Sequence, residues 1–320
     1  MKHQGLHNPS YTIILLAILI ICVGCGSQSS DPQAVTEAIS GNRIHVMATT
    51  TIVGDVVNAV GSDLIDLEVL LPPGSDPHVY EVTPRDIAAL TEADLVFVNG
   101  LGLEALLEPV LQDAREQNKV VSVSDGIANI RSQTSGRNGE GDDLDPHVWF
   151  DPLLVMSWVD TIESALSDAN PENSDAFHAN AEEYRRQLLE LDEWIITQIG
   201  EIPVDKRLVV TDHDSLGYFV DRYGLDLVGT VIPGYDTQIE PSAKELAQLI
   251  ENIGQYGVSV VFVSDSVNTS LAEQIANDSG IRLVRLSTGS LTDDSGKAAT
   301  YLDFMRANVE TITNALSSSS

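Results

Sequence analysis

A stretch of 28 residues without glycine or proline, residues 172–199, constrains the fold more than any other feature of this sequence. It follows Asn170-Pro171, which can cap a helix and occupy its first turn, and it ends at Gly200. Apolar residues recur along it at spacings that place them on one helical face: Phe177, Tyr184, Leu188, Leu191, Ile195 and Ile199. At 1.5 Å per residue, the predicted helix is roughly 40 Å long, about the length of a small domain.

The segments on both sides of this helix alternate between strand-like and helix-like patterns. Before it, apolar runs over 44–50, 64–71, 94–98 and 119–123 alternate with helical patterns over 52–61, 83–93 and 102–117. After it, runs over 207–211, 227–232, 258–263 and 282–286 alternate with helical patterns over 215–223, 242–256, 270–279 and 300–316. The alternation predicts an α/β fold of two lobes, each a mostly parallel sheet flanked by helices, joined by one long rigid helix. We expect an N-terminal lobe over 43–169, a linking helix over 170–200 and a C-terminal lobe over 201–320.

The first 24 residues indicate an export signal. The unbroken apolar run Ile13–Ile21 is shorter than the roughly 20 residues that span a bilayer, and it ends in Cys22-Val23-Gly24-Cys25. This ending resembles a bacterial lipobox, in which Cys25 becomes the lipidated first residue, although Cys22 stands where leucine is usual. An ordinary secretory signal and a retained membrane helix are the alternatives. We expect residues 25–42, rich in small and polar residues, to form a flexible tether.

Composition excludes several classes of protein. With 17 basic and 48 acidic residues the formal charge is −31, which argues against nucleic-acid binding because phosphate contacts need lysine and arginine clusters. Two cysteines, both before residue 26, exclude a disulfide framework and a zinc finger. The hydrophobic content of 43% excludes a disordered chain.

Three histidines carry the candidate chemistry. His78 and His147 each end the triplet Asp-Pro-His, and His213 follows an apolar run within Asp212-His213-Asp214. Proline stiffens the two triplets, and His213 lies where ligand sites form in open α/β sheets, at a strand-to-helix turn. Three imidazoles favour a borderline ion such as zinc, with neighbouring acids available to hold the second ring nitrogens. We assign the other two histidines after the export signal, His45 and His178, to packing or the surface.

The motifs around these histidines resemble the zinc/manganese solute-binding lipoproteins of bacterial ABC importers, also called cluster A-I or family 9 binding proteins. Four segments carry the resemblance, over 74–84, 145–152, 213–219 and 300–309. It implies a divalent metal ion held between two lobes by His78, His147 and His213, with zinc favoured and manganese or ferrous iron as the alternative. It further implies a receptor, not an enzyme, that delivers the ion to a membrane permease and its ATPase. Its place would be the extracytoplasmic face of the cell membrane, through a lipid on Cys25, or the periplasm. We expect a monomer.

Two departures from the family pattern concern the metal. The family often supplies a fourth ligand from an aspartate in a segment that here contains Gly289, so water or another acid, such as Glu81, Asp214 or Asp293, is the candidate fourth ligand. The loop over 131–145 contains acids but no histidine, whereas many zinc-specific members have a histidine-rich loop there.

Three other functions are alternatives to this hypothesis. A secreted zinc hydrolase could use three histidines and a water, but the sequence has no His-Glu-x-x-His motif. A surface adhesin would be expected to show adhesive repeats, and none is found. A receptor for an organic solute would need several aromatic residues in its cleft, whereas only 5% of the chain is aromatic.

Overall fold

The computed structural model describes residues 43–127, 144–293 and 295–317. The predicted signal peptide, the tether with Cys25, and most of the loop over 131–145 lie outside these residues. No helix in the described part of the chain is both long and apolar enough to cross a membrane.

The first sheet contains four parallel strands in the order β2-β1-β3-β4. They are β1 (Ile44–Ala48), β2 (Ile65–Val69), β3 (Leu95–Val98) and β4 (Val120–Ser122). Helices α1 (Thr51–Gly61), α2 (Pro84–Glu92) and α3 (Glu108–Glu116) connect them. The central strand β3 is fully buried, as expected where helices cover both faces of a parallel sheet.

The second sheet repeats this arrangement with the order β6-β5-β7-β8, again all parallel. Its strands are β5 (Leu208–Thr211), β6 (Asp226–Thr230), β7 (Val260–Ser264) and β8 (Arg282–Leu286). Helices α6 (Gly217–Tyr223), α7 (Ala243–Tyr256) and α8 (Ser270–Ser279) connect them. The common strand order indicates that the two lobes are built on one plan.

Helices α4 (Pro152–Ala169) and α5 (Ser174–Gly200) link the lobes. The buried residues of α5 include all six predicted from its periodicity, and the helix packs against α4, α1 and the last helix, α9 (Tyr301–Ser317). The predicted α/β class, with two parallel sheets and a long helix between the lobes, is confirmed. The last helix, α9, contacts both lobes: it packs against β8 of the second lobe and against α1 of the first.

The structure differs from the predicted elements at three places. The helix predicted over 102–117 begins only at Glu108, because Gly100, Leu101 and Gly102 all have positive φ and form turns. The segment Pro171–Asn173 is a 3₁₀ turn, so α5 begins at Ser174. Helix α4 was not predicted, although Asp151 caps it by accepting from the Leu153 N–H and Pro152 occupies its first turn.

Candidate metal centre

The three histidines lie in loops at the carboxyl ends of parallel strands. His78 belongs to the connection after β2, His147 lies after β4 and directly before the 3₁₀ turn Val148–Phe150, and His213 follows β5 by two residues. Because the carboxyl ends of both sheets face the same space, loops far apart in sequence meet there. The fold thus brings together two histidines of the first lobe and one of the second.

The candidate ligand atoms of the three histidines all lie within 4.8 Å of one another. The Nε2 atoms of His78 and His147 are 3.2 Å apart, and the ring centroids are separated by 5.2 to 5.8 Å. Within residues 43–127, 144–293 and 295–317, no other group of three histidine, cysteine or acidic side chains has this proximity. The geometry is that of three imidazoles converging on one point.

Aspartates fix the orientation of two of the rings. Asp145 Oδ1 accepts from both the Nδ1 and the backbone N–H of His147, at 2.8 and 2.9 Å. Asp212 Oδ1 accepts from the same two groups of His213, at 2.9 and 2.8 Å. With the hydrogen on Nδ1, each Nε2 keeps a free lone pair. The prediction that neighbouring acids hold second ring nitrogens is confirmed at these two histidines.

In the first Asp-Pro-His triplet, the aspartate holds the backbone of the histidine but not its ring. Asp76 Oδ1 accepts from the His78 N–H at 2.9 Å, and its Oδ2 accepts from Thr237 Oγ1 at 2.8 Å. In the described part of the chain no carboxylate hydrogen-bonds the His78 ring. The shared triplet therefore has one common role, to anchor the histidine N–H through the aspartate two residues earlier.

Burial sets the charge of the site. Burial, with the nearby His213, lowers the pKa of His78 to about 4 and holds the pKa of His147 well below its usual range. Burial also acts to lower the pKa of His213, but Asp212 outweighs it, and the pKa is raised. Two of the imidazoles are therefore neutral at pH 7, the form that can bind a metal, and a metal ion at His213 would compete with its proton.

Both lobes line the space around the Nε2 atoms. Its walls are Asp76, Pro77 and Trp149 from the first lobe and Ser264, Ser266, Val267, Thr288 and Gly289 from the second. Trp149 closes the gap between lobes by donating its indole N–H to the Thr288 carbonyl at 2.9 Å. Gly289 lies in the wall, where an added Cβ would be 3.0 Å from Pro77 Cδ.

The three acids suggested as a fourth ligand are not among the residues that line the histidine pocket. Glu81 is exposed on the loop beyond His78, and Asp293 is exposed and accepts from the N–H and hydroxyl of Ser295. Asp214 is among the residues that line a separate cavity between β6 and α7, and its backbone N–H donates to the Gly234 carbonyl. None of the three lines the histidine pocket, and a role for any of them as a fourth ligand or behind the ligands stays a prediction.

The remaining histidines lie outside the site. His45 is half-buried in β1, and its Nε2 is 3.9 Å from Glu68. His178 is exposed on α5, with Nδ1 2.8 Å from Glu163. Sequence reasoning did not single out Ser264, Ser266 and Thr288, and serines and threonines at strand ends carry no signal that would distinguish them.

The comparisons with known proteins agree with this geometry. A family model described as the periplasmic component A of a zinc-uptake complex, ZnuA, matches residues 46–315. The chain belongs to this family. Membership confirms the family predicted from the sequence, and with it a transport receptor and not an enzyme.

Known relatives are similar to this chain over nearly their whole length. The manganese-binding lipoprotein MntA of Halalkalibacterium halodurans is 30% identical over 308 residues, which cover 96% of this chain and 98% of the relative. The solved periplasmic zinc-binding protein TroA from Treponema pallidum superposes with a TM-score of 0.78 at 28% identity, over 86% of this chain and 99% of that one. A manganese-bound periplasmic metal-binding protein from Candidatus Liberibacter asiaticus gives a TM-score of 0.75 at 25% identity, over 86% and 100%.

Proposed function

We propose that this protein is the extracytoplasmic receptor of an ABC metal importer, and that it binds one divalent ion through Nε2 of His78, His147 and His213. The observation that carries the proposal is the convergence of these three ligand atoms within 4.8 Å, between two lobes. No bond of the substrate is made or broken. The bound ion passes to a membrane permease that a cytoplasmic ATPase drives.

Zinc is the ion that the donor set favours. Three imidazole nitrogens suit zinc, whereas manganese prefers carboxylate and water oxygens. Asp76, the acidic residue in the described wall of the pocket, already accepts two hydrogen bonds. Manganese is the second candidate, because the related MntA is named for manganese and similar solved structures are manganese-bound.

The proposed location follows from the N-terminal sequence. Cys25, at the end of the predicted signal peptide, would carry the lipid, and residues 25–42 would tether the folded part to the membrane. The related MntA is named a lipoprotein. A monomer suffices for this function, because one chain supplies all three histidines.

The test is a calorimetric titration of the chelator-stripped protein with zinc and with manganese. His78→Ala and His213→Ala each remove one ligand, and His178→Ala is the matched control because that ring is exposed and bonded to Glu163. We expect one zinc per chain, lost in both site variants and retained in the control. Tight manganese binding at the same histidines would change the ion but keep the receptor. Binding that survives both site variants would refute the three-histidine site.

A further inference from the structure

A second cavity, of about 520 Å³, lies in the second lobe along strand β6. Residues 226–231 all line it, although successive side chains of a strand point to opposite faces of a sheet. The cavity therefore follows the outer edge of β6, which is the first strand in the order β6-β5-β7-β8. Its volume is within the range of roughly 300–1,000 Å³ that small-molecule sites occupy. We call this cavity the β6 groove.

Helix α7 forms the opposite wall of the β6 groove with one of its faces. The residues that it contributes recur at helical spacing: Glu245, Gln248, Leu249, Asn252 and Tyr256. Four of these five side chains are polar, whereas the chain around β6 adds the apolar side chains of Leu227, Val228 and Val231. The groove therefore combines hydrogen-bonding groups with apolar surface, as small-molecule sites do.

The charges that line the β6 groove have one sign. Its described lining contains the carboxylates of Asp214, Asp226 and Glu245, and no lysine, arginine or histidine. Arg207, whose backbone carbonyl accepts from the Asp226 N–H, directs its guanidinium to the Ile202 carbonyl. The groove is therefore complementary in charge to a cationic ligand.

Two of these carboxylates lie at opposite ends of the groove. Asp226 is the first residue of β6, whereas Asp214 lies beside the chain beyond the last one, since its N–H donates to the Gly234 carbonyl at 2.9 Å. At about 3.3 Å per residue, the ends of a five-residue strand are roughly 13 Å apart. The described acids of the groove do not form a group of three whose oxygens lie within 4.8 Å of one another. They therefore suit a ligand with separated positive charges and not a single metal ion.

Asp214 is the end of the groove at which a cation would gain most. Its Oδ1 is buried without a hydrogen-bond partner among the described residues, whereas Asp226 is exposed. Burying a charged carboxylate without a partner costs free energy. An ammonium group of a ligand at this end would offset that cost.

We propose that the β6 groove binds a linear aliphatic polyamine, with one ammonium group at Asp226, another at Asp214 and the methylene chain between β6 and α7. The amide oxygens of Gln248 and Asn252 can accept hydrogen bonds from an inner amine, and the apolar side chains of the groove contact the methylene groups. This is a second ligand site, separate from the histidine pocket, since no described residue lines both.

The test is a calorimetric titration of the purified protein with spermidine and, for comparison, with the shorter 1,4-diaminobutane. An ionic strength of about 0.15 M largely screens separated surface charges. We expect one spermidine per chain, bound more tightly than the diamine, which is too short to reach both carboxylates. Asp226→Asn should weaken spermidine binding about fivefold, since one exposed charge pair is lost, and should remove most of its advantage over the diamine.

Asp278→Asn is the matched control, because Asp278 is an exposed acid of α8 outside the groove, and it should leave spermidine binding unchanged. Asn252→Trp fills the groove without a change of charge and should abolish binding. Equal weakening by the two aspartate variants, full affinity in Asn252→Trp, or no saturable heat in the parent protein would overturn the proposal. If Asn252→Trp melts well below the parent, the two aspartate variants alone decide. The titration needs no metal, so its outcome is independent of the function proposed above.

Discussion

Asp212 connects His213, a proposed metal ligand, to the wall of the pocket, and its replacement by asparagine tests that connection. Oδ1 accepts two hydrogen bonds from His213, and Oδ2 accepts one from the buried Ser264 N–H. An asparagine has one carbonyl oxygen and one NH₂ group, so in either orientation its NH₂ faces a donor. At least one buried N–H therefore loses its acceptor, and the charge that orients the His213 ring is lost.

Both losses have expected magnitudes. A buried donor without a partner costs about 1–3 kcal/mol, which lowers the melting temperature of a protein of this size by about 2–10 °C. Loss of the carboxylate behind a ligating histidine weakens metal affinity by about 10–100-fold. We therefore expect Asp212→Asn to lower both the melting temperature of the metal-free protein and its zinc affinity, measured by competition with a chelating dye.

Asp145→Asn is the matched control. Asp145 also holds a histidine through Oδ1, but its Oδ2 has no hydrogen-bond partner. The NH₂ group can take the Oδ2 position without facing a donor, so this variant should weaken zinc binding with little effect on the metal-free melting temperature. Equal destabilisation by the two variants, or a zinc affinity of Asp212→Asn within twofold of the parent, would refute the reasoning.

Three further predictions concern stability. Arg222→Gln leaves the largely buried Asp192 without its bidentate partner, now at 2.6–2.7 Å, and should lower the free energy of unfolding by about 2–3 kcal/mol. Arg186→Gln is the control: it breaks fully exposed ion pairs and should leave the melting temperature unchanged. Burial raises the pKa of Asp55 from 3.8 to about 6. The ionised Asp55 therefore destabilises the folded protein, and the protein gains stability as Asp55 is protonated between pH 7.5 and pH 4. Asp55→Asn should therefore raise the melting temperature at pH 7.5, with a gain that vanishes near pH 4. Zinc at about a thousandfold excess over its Kd should add about 4 kcal/mol to the unfolding free energy, and an unchanged melting temperature would contradict binding.

The elements that sequence predicted well are those whose periodicity reflects burial. The face of α5 is buried as its spacing indicates, and the runs that became β3 and β7 are fully buried. These two strands also occupy the same position in the order of their sheets, in agreement with their similar sequences. The spacing of apolar residues predicts these elements because each strand or helix has to bury one continuous surface.

Prediction failed where backbone conformation or local caps decide the structure. Positive φ at Leu101, between two glycines, stops the first turn of the helix expected over 102–117, and composition alone does not reveal it. Glu104 instead accepts from the N–H groups of Asn99 and Gly100 and stabilises the turn. Helix α4 could have been predicted from Asp151-Pro152, a cap followed by a first-turn proline.

The histidines were predictable because proline and aspartate mark them, whereas the rest of the pocket was not. Thr288 and Gly289 reach the site only because β8 pairs with β7, and β7 with β5, so that three strand ends of one sheet lie side by side. That neighbourhood is a property of strand order, which one sequence does not specify. The same limit holds for the fourth ligand, since spacing in the sequence does not show which carboxylate lies on the ligand side of a histidine.

The three histidines differ in how the protein holds them, and this difference would connect the proposed metal binding to any separation of the two lobes. His147 and His213 are each fixed by an aspartate of their own lobe, on ring and backbone alike. His78 is held through its backbone, by Asp76, and both residues contact the second lobe, since Thr237 donates to Asp76 and Gln238 donates to the His78 carbonyl at 3.1 Å. Separation of the lobes would therefore loosen His78 while leaving the other two rings oriented. A metal ion that needs three nitrogens would lose one at that step, without any bend in the long helix α5.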